Sequence, residues 1–380
     1  MIKKIAIEDL LVGMYVERLD LSWFQSPFLS SKRKIVKSLK EIQHLRSLGI
    51  EEVYINTEKG LDVPQGEQDK PIAGVIGPHP EVASPEIVPT SKPQPPEEEV
   101  PLEKEIENAS KLYSNTIHFV KKFIKDARMG KIVHYKKAVP LVNTIIESVM
   151  RNPNALTTLT NLKSYDAYTY THCVNVAVLS VVFGKFLGFS LGGLNLIGIG
   201  GLFHDIGKCK LPEEILNKPG SLTEQEFEIM KKHPREGYDS IKGQEDIPPE
   251  ILAIILEHHE KYNGRGYPQG LSGEEITKLA NIVSVVDVYD ALTTDRVYRK
   301  AVHPYKAMRI LFMGREQDFY PGLAEMFVKC LGIYPVGSLV KMDTGEYGVV
   351  MEIDTAISLY PKVKILWDRN MRPCNTNSYL

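Results

Sequence analysis

A chain of 380 residues, 43% hydrophobic and 25% charged, has an ordinary globular makeup and room for two or three cores. Its formal net charge of −2 excludes recruitment of nucleic acid by a general basic field. The cysteines, Cys173, Cys209, Cys330 and Cys374, share no CxxC spacing, which argues against a disulfide framework and for a reducing, cytoplasmic compartment.

Residues 1–57 alternate short apolar runs (Ile5 and Ile7, Met14 and Val16, Val53 and Ile55) around one amphipathic helix, framed by Ser30-Ser31 and Gly49. A small α+β domain is predicted, of regulatory type. Its basic stretch, Lys32, Arg33, Lys34, Lys37 and Lys40, reads as a solvated helix face. Residues 58–101 hold ten of the 24 prolines and form a linker that buries too little apolar surface to order itself.

Residues 102–150 are a helical connector. Ile106, Ala109, Tyr113, Ile117, Val120 and Ile124 recur at spacings of three and four, which predicts one apolar stripe on a helix over 102–125. That stripe packs onto the following domain or pairs two copies as a homodimer. Gly130 separates this helix from a second, over 133–150. Residues 151–330 read as a succession of helices. Their most apolar part, 174–203, is interrupted by Lys185 and rich in glycine, so it predicts buried core helices and no membrane span. Residues 331–380 form a small β appendage, with a hairpin signal at Asp343-Thr344-Gly345. The predicted architecture is multidomain and mainly α-helical, with a small α+β N-terminal domain and a small β C-terminal appendage.

Five of the ten histidines fall between residues 172 and 259. Asp205 and Lys208 are three apart and His204 and Lys208 four apart, so one helix surface presents a ligand pair beside a cation. A helix that begins near Pro248-Pro249 ends at Glu257-His258-His259-Glu260; its histidines face about 100° apart, towards different sides of a metal cluster. Asp287 lies in an apolar helix, Ile282 to Val288, where an unpaired carboxylate is costly, and Asp290 follows one turn later. Taken jointly, these residues predict a metal site. Imidazole and carboxylate without thiolate suit iron, manganese, nickel, cobalt or zinc, and not magnesium or calcium. Six or seven ligands exceed one ion, and a central carboxylate, Asp205, can bridge two ions about 3.5–4 Å apart.

His204-Asp205-Ile206-Gly207-Lys208, His258-His259-Glu260, Gly264-Arg265-Gly266-Tyr267-Pro268, the run from Asp287 through Asp290 to Arg296 and Arg299, and Tyr168 to Asn175 together resemble the HD-GYP domains. These are bacterial phosphodiesterases of the HD hydrolase superfamily. The resemblance covers about residues 130–330. Leu11-Val12-Gly13-Met14-Tyr15-Val16 is similar to a domain of unknown function often found ahead of them. The resemblance implies an all-helical, HD-type catalytic bundle that hydrolyses a cyclic dinucleotide, most often cyclic di-GMP, in second-messenger signalling. It implies metal-ligand roles for His172, His204, Asp205, His233, His258, His259 and Asp287. Lys208 is placed beside the scissile phosphate, Arg296 and Arg299 on substrate phosphates, and the loop of Gly264, Gly266 and Tyr267 at the lip of the pocket.

Some family members carry a glutamate one turn before the first histidine that helps to bind a third metal. Tyr168 stands there in this chain, and a phenol with a pKa of about 10 is a poor ligand. Two ions are therefore expected, iron or manganese ahead of zinc, nickel or cobalt, although Asp166 is close enough in sequence to approach. The expected reaction is in-line attack by a metal-bridging hydroxide, giving the linear dinucleotide pGpG, GMP or both. Rival readings are hydrolysis of cyclic GMP-AMP, an HD-type phosphohydrolase acting on mononucleotides, and a slow cyclic-dinucleotide sensor that relays to a signalling protein partner.

Overall fold

The computed structural model describes residues 2–19, 34–36, 39, 42, 52–61, 100–131, 134–161, 168–295, 300–315, 317–353 and 361–374. They belong to two compact units, Met1–Val88 and Pro89–Leu380.

In the first unit, β1 (Ile2–Ala6), β2 (Tyr15–Leu19), β3 (Lys34–Ile35) and β4 (Glu52–Asn56) form an antiparallel sheet of order β1-β4-β2-β3. Strand alternation sends Ile5, Val16, Val53 and Ile55 into one core with Leu10 and Met14. The expected helix cannot begin at Ser30-Ser31, because Lys34 and Ile35 are strand. Val36 N–H donates to the Met14 carbonyl at 2.9 Å, and Gly13 N–H donates to the Val36 carbonyl at 2.8 Å, which commits this segment to the sheet. Leu39 and Ile42 are helical; the remainder of that expected helix, most of its basic stretch and nearly all of the proline-rich linker lie outside the described residues.

The second unit opens with α1 (Leu102–Arg128). Its buried residues are Glu105, Ala109, Thr116, Val120, Phe123 and Ala127, a stripe rotated by about one position from the predicted one. Ile106, Tyr113, Ile117 and Ile124 are only half-buried. Apolar periodicity misses the true face because two of its members are polar and satisfied. Glu105 accepts from Ser148 Oγ (2.8 Å) and from Arg151 Nε and Nη2 (3.0 and 2.9 Å), while Thr116 Oγ1 donates to the Leu112 carbonyl (2.7 Å). This face packs on α2 (Val139–Arg151), α3 (Pro153–Asn161) and α4 (Tyr168–Phe186). The second connector helix starts at Val139 and not at 133, since Pro140 suits a first helical turn and a 3-10 turn occupies Tyr135–Lys137.

Then come α5 (Leu191–Phe203), α6 (Glu213–Leu216), α7 (Glu224–Met230), α8 (His233–Ile241), α9 (Pro249–Glu257), α10 (Lys278–Thr293), α11 (Pro304–Gly314) and α12 (Leu323–Leu331). Helix α4 is apolar around its circumference and buried from Cys173 to Val182, as a central helix must be. It packs on α5 and α10. Among the described residues no helix is long and apolar enough to cross a membrane. The C-terminal strands β5 (Leu339–Lys341), β6 (Tyr347–Glu352) and β7 (Lys362–Trp367) form an antiparallel meander, and the first two enclose the expected hairpin turn.

Candidate metal centre

Five of the unit's segments deliver side chains to one buried point. His172 comes from α4, His204 caps α5, His233 opens α8, His258 and His259 follow α9, and Asp287 lies on α10. Asp205 stands between α5 and a 3-10 turn, Ile206–Lys210. That turn replaces the single helix surface expected for His204, Asp205 and Lys208. With three residues per turn it stacks Lys208 on Asp205, and Lys208 Nζ donates to Asp205 Oδ2 at 2.5 Å. Gly207 makes the turn possible: a Cβ there would lie 1.9 Å from the His233 carbonyl oxygen and 2.4 Å from Gly237 N.

The predicted residues form two adjacent groups, Asp205–His233–His258–His259 and His172–His204–Asp287, each able to hold a metal ion. All but His259 are buried; a quarter of the His259 side chain is exposed. The two carboxylate oxygens of Asp205 face different groups. Oδ1 lies 3.2 Å from His233 Nε2, and Oδ2 lies 3.3 Å from His204 Nε2 and 3.6 Å from His172 Nε2. Asp287 Oδ1 is 3.0 Å from His172 Nε2, and its Oδ2 is 3.8 Å from His259 Nδ1. His258 and His259 both join the Asp205 group, with ring centres 4.2 Å apart; His258 lies beside His204, and His259 Nδ1 lies 3.8 Å from Asp287 Oδ2.

The outer hydrogen bonds determine what the rings can do. Nδ1 of His204 donates to the Gly201 carbonyl (2.7 Å), that of His233 to Met230 (2.8 Å), that of His258 to Ile255 (3.0 Å) and that of His172 to Asp290 Oδ2 (2.8 Å). Each Nδ1 therefore carries a proton, which leaves Nε2 as the inward-facing atom of every ring. These nitrogens meet one another at 3.3 Å (His204 to His172) and 3.2 Å (His233 to His258). Asp205 Oδ1 is buried without any hydrogen bond. Converging lone pairs and an orphaned carboxylate oxygen repel one another unless cations lie among them. The donor set fits divalent transition metals.

Protonation agrees with that role. Burial pushes the His233, His258 and His259 imidazoles down, so they stay neutral near pH 7. Burial also acts to raise Asp205, but the Lys208 charge and the neighbouring imidazoles outweigh it and hold the carboxyl well below the usual range. Asp287 is held down in the same way, chiefly by its bond with His172. His172 is depressed by burial, yet Asp287 and Asp290 lift it to about 9, which marks it as the imidazole most dominated by anions.

Tyr267 projects from its loop over this cluster, its ring centre 4.7 Å from that of His259 and 6.4 Å from that of His233. The loop passes so close to the end of α9 that a Cβ on Gly266 would sit 2.4 Å from Glu260 Cα; Gly264 adopts φ +76°. Glu260, absent from the predicted site residues, clasps the loop. Its carboxylate accepts backbone N–H bonds from Gln269 (2.7 Å), Gly270 (3.1 Å) and Leu271 (3.0 Å). Asp290, one turn after Asp287 and outside the predicted ligand set, orients His172. The side chain of Tyr168, and Asp166, Arg296 and Arg299, lie outside the described residues.

A family model described as an HD domain matches residues 176–321, and one described as a domain of unknown function, DUF3391, matches residues 2–138. A Pseudomonas aeruginosa protein named cyclic di-GMP phosphodiesterase is 37% identical over 368 residues, 97% of this chain and 86% of that one. A cyclic di-GMP phosphodiesterase response regulator of Xanthomonas campestris is 40% identical over 144 residues, 38% of each chain. Among solved structures, an HD-GYP-type protein of Bdellovibrio bacteriovorus, Bd1817, superposes with a TM-score of 0.50 at 18% identity, covering 86% of this chain and 97% of that one, a likeness of fold. The chain belongs to the HD-GYP family, phosphodiesterases of the HD hydrolase superfamily, and carries the DUF3391 domain ahead of its helical bundle.

Proposed function

We propose that the protein hydrolyses cyclic di-GMP at a two-metal centre, releasing pGpG, GMP or both. The observation that carries this reading is the inward convergence of four imidazole Nε2 atoms and two ionised carboxylates, with one lysine at the rim. His172, His204 and Asp287 would hold one ion and His233, His258 and His259 the other, with Asp205 placed between the two groups; iron or manganese would suit this imidazole-carboxylate set. Bound there, divalent cations supply Lewis acidity towards phosphate oxygens and acidify water near neutral pH.

The chain's own residues do the rest. Asp205 orients Lys208, whose Nζ is the cation available to a non-bridging phosphate oxygen or as proton donor to the departing 3′-oxygen. Tyr267, held by the Glu260 clasp, offers a ring face at the rim on which a purine can stack. Arg296 and Arg299, assigned to substrate phosphates by the family resemblance, complete the binding set. Four free cysteines suit work in a reducing cytoplasm.

The test is chromatographic product analysis of the purified protein on cyclic di-GMP, cyclic GMP-AMP and cyclic di-AMP, with elemental analysis of the same sample. Cyclic di-GMP should be cut fastest, by protein holding close to two transition-metal ions per chain. A sample loaded with manganese or iron that leaves cyclic di-GMP intact defeats the reading, and faster cleavage of cyclic GMP-AMP moves the substrate.

A further inference from the structure

Helix α1 supplies none of the seven cluster residues, yet a buried polar chain runs from it to one of them. The Tyr113 hydroxyl lies 2.5 Å from Asn175 Oδ1. Asn175 Nδ2 lies 2.8 Å from Asp290 Oδ1, and Asp290 Oδ2 lies 2.8 Å from His172 Nδ1. Asn175 and Asp290 are both buried to within 1% exposure, so neither can exchange these partners freely for bulk water.

The direction of every bond follows from the carboxylate. Asp290 accepts only, so His172 Nδ1 and Asn175 Nδ2 must donate to it. The amide then turns its carbonyl oxygen towards α1, and the Tyr113 hydroxyl donates to that oxygen. Burial, with the Asp290 charge, raises the Tyr113 phenol above its ordinary range, which keeps the donor protonated. Removing the hydroxyl leaves a buried amide oxygen unpaired, and Asn175 is then held only from its Nδ2, by Asp290 Oδ1 and the Thr160 carbonyl. Asp290 then loses a constraint on Oδ1, the oxygen opposite the one that orients His172, and the carboxylate as a whole is held less firmly.

We propose that Tyr113 is a positioning residue for the cation site of His172, His204 and Asp287, and that α1 acts on that site through Asn175 and Asp290. The proposal rests on the metal reading of that group. It gives the connector a function beyond spacing: rotation or sliding of α1 by about one ångström stretches a short bond and alters the affinity for one ion of the pair.

The test is a double-mutant cycle read on metal affinity. Manganese is titrated into metal-free full chain against a chelating indicator, which resolves the two binding steps. Tyr113→Phe should weaken one step by about threefold to tenfold, the worth of one hydrogen bond, and leave the other step unchanged. Asp290→Asn should weaken the same step by about tenfold to a hundredfold. The double variant should bind no worse than Asp290→Asn alone. Unchanged affinities in Tyr113→Phe, equal weakening of both steps, or full additivity in the double variant would each overturn the proposal. Tyr113→Phe is close to isosteric and decides the matter alone where Asp290→Asn does not fold. A wild-type chain that takes up fewer than two ions removes the metal centre and this proposal together, whereas an inert Tyr113→Phe in a two-ion protein removes only the proposal.

Discussion

Asp205 and Lys208 stand three residues apart and touch, but their parts differ. Asp205 spans both groups with its two oxygens, one of them unpaired, whereas Lys208 is 22% exposed and reaches the cluster only through Asp205 Oδ2. Asp205→Ala should therefore abolish metal content and turnover together. Lys208→Ala should keep its metal yet lose turnover by about a hundredfold or more, the usual worth of a positioned acid or cation. Elemental analysis alongside initial rates separates the two, and wild-type rates in Lys208→Ala would remove the lysine from the scheme. The same residue-scale logic explains Gly207 and Gly266, where a single Cβ would collide with the backbone that brings His233 and Tyr267 to the centre.

The connector helix shows how an element's packing can turn on one charged residue. Glu105, buried on the inner face of α1, is tied to Ser148 and Arg151 of α2. Burial would raise its carboxyl, but the Arg151 and Ser148 bonds and the Arg151 charge outweigh that and hold it below the ordinary glutamate range. A depressed folded value means that the stabilisation is complete above the unfolded glutamate pKa of about 4.3 and fades as pH falls through the folded value. Glu105→Gln should cost about 1.5–3 kcal/mol at pH 7, the range for a hydrogen bond to a charged group, and the gap to wild type should narrow as the pH falls from about 5 to below 4. Denaturant melts of both proteins across that interval measure it; a gap that widens in acid would contradict the assignment.

At the scale of the molecule, the centre joins segments from α4, α5, α8, α9 and α10, so cation binding ties together much of the second unit. An ion that binds the folded state alone, at a thousandfold above its Kd, adds about 4 kcal/mol. Exhaustive chelation should lower the thermal midpoint of the helical unit by about 10 °C, since each kcal/mol moves a unit of this size by about 2–4 °C. The N-terminal sheet supplies no residue to either group, and its own transition should not move. Circular dichroism melts with and without chelator test this. An unchanged helical transition would mean that no cation links these helices.

The amino-acid order alone carried the helical class, the terminal sheets and the identities of the residues that meet at the centre. Those are written in local terms: apolar spacing, turn residues, and short His, Asp and Gly motifs whose chemistry has few structural uses. Tertiary structure decided what depends on partners distant in sequence. The buried face of α1 is set by Ser148 and Arg151, the strand at Lys34–Ile35 by pairing with Tyr15 and Val16, and the ring tautomers by carbonyls and Asp290 behind them. No local pattern reveals the path from Tyr113 to His172, because a hydrogen bond spanning 62 or 118 positions leaves no period in the chain, and the Glu260 clasp depends on how its loop folds back.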